Sequence, residues 1–84
     1  MTKNIEDLKN KIIYRASYRG SKEMDILMSK FVKSIINDLN NKELEELDYL
    51  VNLDDESIYK IKNNILSLDK ISVNLLIKFK NFKI

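Results

Sequence analysis

The chain has 84 residues, with one glycine, no proline, no cysteine, no histidine and no tryptophan, and a formal net charge of +2. That inventory excludes disulfides, cysteine or histidine catalytic systems and cysteine–histidine zinc sites, and one glycine cannot build a Walker loop or a dinucleotide fingerprint. With 44% hydrophobic and 33% charged residues, the chain reads as globular and as a single domain over residues 1–84.

Without Pro, and with no Asn-Gly or Asp-Gly pair, nothing marks the tight turns of a β-hairpin. The apolar pattern reads instead as successive amphipathic helices. Ile5, Leu8, Ile12 and Ala16 recur at helical spacing along a first helix. It should stop near Tyr18 or Arg19, because Gly20 takes a left-handed conformation freely. Ser21 then caps a second helix, with Glu23 and Asp25 facing the positive end of its dipole. Its expected stripe is Met24, Leu27, Phe31, Ile35 and Leu39.

The next break falls at Asp38-Leu39-Asn40-Asn41. Asn40 with Glu43 three residues on has the form of a capping box, opening a third helix whose buried face is Leu44, Leu47, Leu50 and Val51. Asp54-Asp55 ends that helix and caps a fourth, with Ile58, Ile61 and Ile65 inward and Tyr59 beside them. Between Ile71 and Phe79 the apolar residues alternate, as in a strand. A lone strand would leave its backbone unpaired, so this stretch is read as a helix, through Val73, Leu76 and Ile77 or through Leu75, Phe79 and Phe82. The expected fold is all-α, a compact bundle of four to five short helices.

Charge is segregated along the chain. Residues 1–42 carry nine bases and five acids, residues 43–57 seven acids and no base, and residues 58–84 six lysines and one acid. The only arginines are Arg15 and Arg19, whose planar forks suit carboxylate or phosphate better than lysine does. On spacing alone the corner has a plain reading. Gly20 ends a helix, Glu23 and Asp25 serve the next dipole, and Arg19 pairs with Glu23.

The same corner carries a resemblance. Arg19-Gly20-x-x-Glu23-x-Asp25, preceded by Ile12-Ile13-Tyr14-Arg15 and followed by Ile26-Leu27-Met28 and Phe31, resembles the succinate dehydrogenase flavinylation (assembly) factor family. Its hallmark is Arg-Gly-x-x-Glu at the first interhelical turn. The acidic Leu53-Asp54-Asp55 before Ser57-Ile58-Tyr59 is similar to a second recurrent feature. Two positions depart: Tyr18 stands where many members have a basic residue, and the fourth helix lacks the tryptophan many carry.

The resemblance implies a small helical factor that binds the flavoprotein subunit of succinate dehydrogenase, or of fumarate reductase, and promotes covalent attachment of FAD. The client supplies the bond-forming histidine, so the factor is expected to be no enzyme and to hold no cofactor stably. The resemblance assigns client contact to Arg19, Gly20 and Glu23, with Tyr18, Asp25 and Arg15 beside them. In this picture Arg19 meets a client carboxylate or charge developing near the flavin.

The competing class is a nucleic-acid module, with Lys78, Lys80 and Lys83 interleaved with Phe79 and Phe82. Against it, the acidic block at 43–57 would repel a phosphate backbone, and no cluster of base-reading side chains is present. No apolar run approaches membrane-spanning length. Met1 to Asp7 mix acids with bases and show neither a signal peptide nor an Arg-rich transit peptide. The resulting expectation is a monomeric protein of the bacterial cytoplasm, rather than of the mitochondrial matrix, contacting neither nucleic acid nor membrane.

Overall fold

A computed structural model describes residues 5–65 and 69–83. Helix α1 spans Ile5–Ser17, α2 Lys22–Ile35, α3 Asn41–Val51, α4 Asp55–Lys62 and α5 Val73–Asn81, with a 3-10 turn at Ile36–Asp38 continuing α2. Alternation in the tail is therefore not a strand. Helix α5 follows a Ser72 cap whose hydroxyl accepts from the Leu75 amide at 3.3 Å. No helix among the described residues is long and apolar enough to cross a membrane.

Local sequence sets the helix starts. The Ser21 hydroxyl accepts from the Met24 amide, and the Asp54 side chain accepts from the Ser57 amide. At α3 both halves of the capping box are made: the Glu43 amide donates to Asn40 at 2.8 Å, and the Asn40 amide donates to Glu43 at 3.0 Å. Each such cap contributes about 1 kcal/mol. The Ser57 hydroxyl also donates to Asp54 at 2.6 Å and holds that carboxyl below its ordinary value of 3.8.

Helix α1 packs against α2 and α3, and α4 packs against α5. Leu8, Ile12 and Ala16 of α1 are buried as their spacing predicts, as are Leu44, Leu47, Leu50 and Val51 of α3. The stripe of α2 is rotated from its expected position. Met28, Phe31 and Val32 are buried, while Met24, Leu27, Ile35 and Leu39 pack at the edge of the core. The reason lies in apolar doublets. Leu27-Met28, Phe31-Val32 and Ile35-Ile36 each offer two neighbours, and the partner helices select the second of the first and third pairs and both of the middle one.

Two further expectations fail at the ends of elements. Ile65 is 67% exposed, because α4 stops at Lys62 and the chain reverses through Asn64 at φ 62°. The Ile65 amide returns to the Lys60 carbonyl at 2.7 Å, closing the helix in the manner of a Schellman motif. In α5, by contrast, the second of the two expected faces is the inward one: Leu75 and Phe79 are buried with Leu76, Phe82 packs against them, and Val73 and Ile77 are exposed. Helix α3 likewise ends at Val51, ahead of the Asp54-Asp55 pair expected to stop it.

Aromatic packing joins the last helix to the second. Phe31 meets Phe79 at 5.0 Å between ring centroids and Phe82 at 5.4 Å. Such pairs add about 0.5–1.5 kcal/mol beyond burial. Lys62 completes the junction by donating to the carbonyls of Phe79 at 2.6 Å, Lys80 at 3.3 Å and Phe82. Burial, with Lys83 as a second cause, holds its ammonium below the ordinary lysine value. The tail's aromatic rings thus belong to the core and are not a stacking surface for bases.

Candidate functional site

Between α1 and α2 the chain turns within four residues, Tyr18 to Ser21. Gly20 adopts φ +96°, a left-handed conformation that costs other residues about 1–2 kcal/mol. A Cβ there would meet nothing within 4 Å. The glycine is therefore required by the backbone, and open space surrounds it on the outside of the fold. The Arg19 amide donates to the Asp25 carboxylate, which fastens the turn to the first turn of α2. Asp25, expected as a minor client contact, is an internal brace.

Arg19 does not pair with Glu23, and its guanidinium does not project from the corner. Its Nε donates to Asp55 at 3.0 Å, and its two terminal nitrogens donate to the carbonyls of Val51 and Leu53. The side chain is 8% exposed. Physically, Val51 ends α3, so its carbonyl has no helical partner, and a planar fork of N–H donors satisfies it together with Leu53 and Asp55. The expectation that Arg19 offers its charge to a partner is corrected accordingly. All three of its nitrogens donate to the turn between α3 and α4.

What the corner presents outward is different. Glu23 is exposed, and so are Tyr18 and Arg15. Among the described residues neither Glu23 nor Arg15 has an ion-pair or hydrogen-bond partner. Two grooves flank the turn. One, of about 410 Å³, lies between α2 and α4 and is lined by Ser21, Glu23, Met24, Leu27, Asp55, Glu56 and Tyr59. The other, of about 550 Å³, lies along α1 and is lined by Lys11, Tyr14, Arg15, Tyr18, Arg19 and Val51 to Leu53. The structure thus brings Arg19, Gly20 and Asp25 together as one braced turn, with Glu23 on one side and Arg15 and Tyr18 on the other.

Sequence reasoning missed the partner of Arg19. Asp55 lies 36 positions away and reads locally as a helix cap. A faint signal exists: one carboxylate suffices for a cap, Asp54 supplies it, and the second acid of the doublet is left for another task. Among the described residues there is no cluster of carboxylates able to hold a metal. The arrangement is suited to docking, with charge and apolar surface on both sides of a fixed turn.

A family model described as flavinator of succinate dehydrogenase matches residues 10–78, a span that includes the whole corner and both grooves. The chain belongs to this family. It is 39% identical over 49 residues to a protein of Scheffersomyces stipitis named succinate dehydrogenase assembly factor 2, mitochondrial; the match takes in 58% of this chain and 33% of that relative. The protein of the same name from Meyerozyma guilliermondii is 35% identical over 54 residues, 64% of this chain and 40% of the relative. The matched region therefore spans well under half the length of either relative. No solved structure matches the chain. Both relatives are named mitochondrial, which overturns the expectation of a bacterial cytoplasmic protein. The charge pattern of seven N-terminal residues does not carry the compartment.

Proposed function

We propose that this protein binds the flavoprotein subunit of succinate dehydrogenase and promotes covalent attachment of FAD to it. The observation that carries the reading is the match to the flavinator family over residues 10–78, a span that includes the turn whose Gly20 faces open space. The roles divide by geometry. Gly20 lets the client's backbone come close, Glu23 offers a free carboxylate to a client cation, and Tyr18 and Arg15 contact the client on the other side. Arg19 and Asp25 hold these groups in place from within.

The flavin bond belongs to the client. This chain has no histidine or cysteine to form one, and in this reading FAD is attached to the client. A factor of this kind works by binding the attachment-competent conformation of its client more tightly than others, shifting the population by that difference in affinity. The decisive measurement is covalent flavin fluorescence of the flavoprotein subunit in a denaturing gel, compared between cells with and without the gene. Fluorescence should fall strongly on deletion and return on complementation. Unchanged fluorescence overturns the reading.

A further inference from the structure

Tyr14 and Tyr18 stand 65% and 70% exposed with their ring centroids 4.7 Å apart, forming a shelf along the end of α1. Two large rings side by side in solvent are uncommon on a surface with no task, and tyrosine is a favoured anchor at interfaces because its ring is large, stiff and amphipathic. Arg15 is exposed in the same groove and has no partner among the described residues. Lys11 also lines the groove, held only by a 3.9 Å approach to Asp48 with the lysine half exposed, a pair worth little. Arg19 closes the inner end, but its side chain is buried and each of its nitrogens already donates to the α3–α4 turn. The free charge of the groove is therefore positive, and its free surface is aromatic.

We propose that this groove receives an acidic segment of the flavoprotein subunit, with a side-chain carboxylate on the Arg15 fork and neighbouring apolar side chains across the Tyr14–Tyr18 shelf. This rests on the functional reading above and adds to it the chemistry of the docked segment. A guanidinium binds a carboxylate through two parallel N–H bonds, and Lys11 adds a second positive charge on the same side. A protein segment fits better than a nucleic acid. The groove offers one guanidinium without a partner among the described residues and one weakly paired ammonium, enough for a single carboxylate and short of the row of cations that a phosphate chain takes up.

The test places the photo-crosslinker p-benzoylphenylalanine at position 18 of the full chain, mixes it with purified flavoprotein subunit and sequences the crosslinked peptide. A peptide containing Asp or Glu close to the crosslink is expected. Arg15→Glu should weaken binding at least tenfold by calorimetry with the thermal midpoint held within a few degrees, and Arg15→Ala should weaken it less in the same direction. Lys33→Glu, an equal charge change at the other end of α2, should alter binding less than threefold. Changing the crosslinked acid to lysine should restore binding to Arg15→Glu. Wild-type affinity in Arg15→Glu, or a crosslinked peptide without an acid, overturns the groove proposal and leaves the functional reading standing. Failure of the wild-type chain to bind the flavoprotein at all removes both.

Discussion

Replacing Arg19 by alanine deletes three hydrogen bonds at once, to Asp55, Val51 and Leu53. Bonds from a charged donor contribute about 1.5–3 kcal/mol each. The full sum overstates the loss, since the Asp55 side chain is 35% exposed and Leu53 is half-buried, and both regain water in the variant. A loss of about 3–4 kcal/mol remains after that discount. A domain of this length has a total stability of about 4–12 kcal/mol, so Arg19→Ala should approach unfolding. Urea denaturation followed by circular dichroism should show the midpoint falling by about 2–3 M with the slope unchanged. Arg19→Lys should retain about half the loss, because an ammonium cannot span three acceptors in a plane. A stability within 1 kcal/mol of wild type for Arg19→Ala would refute the bracing role and return the residue to the partner surface.

Three other outcomes follow from named contacts. Gly20→Ala should cost about 1–2 kcal/mol through its backbone conformation alone, since an added Cβ meets nothing within 4 Å; a larger loss in a thermal melt would mean that the turn is packed. Phe31→Ala should cost about 3–5 kcal/mol and release α5 with it, because Phe31 touches both Phe79 and Phe82; hydrogen exchange should show α5 amides losing protection more than those of α3. The Asp54 carboxyl is held low in the folded state by Ser57, so its contribution is fully present above the unfolded value of 3.8 and is lost as pH falls through the lower folded value. Acid titration should therefore destabilise wild type more steeply than Asp54→Asn in the window from 3.8 down to the lower folded value, with no further difference below it.

The division between what was legible in the sequence and what was not follows interaction range. The Asn40–Glu43 capping box and the buried face of α3 could be read directly, because both halves of the cap lie within one helical turn and Leu44 and Leu47 each stand alone between acidic residues, which fixes the face. The face of α2 could not, because adjacent apolar doublets satisfy the helical period in two registers and only packing against α1 and the α5 aromatics selects between them. The end of α4 was misplaced because Asn64 supports a left-handed turn that no glycine announced. Locating the corner needed only Gly20. Its interior wiring needed the fold, since the acceptors of Arg19 lie on a turn more than thirty residues downstream.

The anchoring of that corner bears on the thermodynamics of recognition. A loop that must become ordered on binding consumes about 1–2 kcal/mol of conformational entropy for each residue it fixes. Here the Tyr18–Ser21 turn is already tied to two other elements through Arg19, whose amide meets Asp25 of α2 and whose guanidinium reaches the α3–α4 turn. The surface is preorganised, so association should show a small entropic penalty and a heat-capacity change set by the area covered rather than by folding of the turn. On the proposed function, loosening the Arg19 anchor would then weaken partner binding as an entropy loss, because the guanidinium acts from inside the fold.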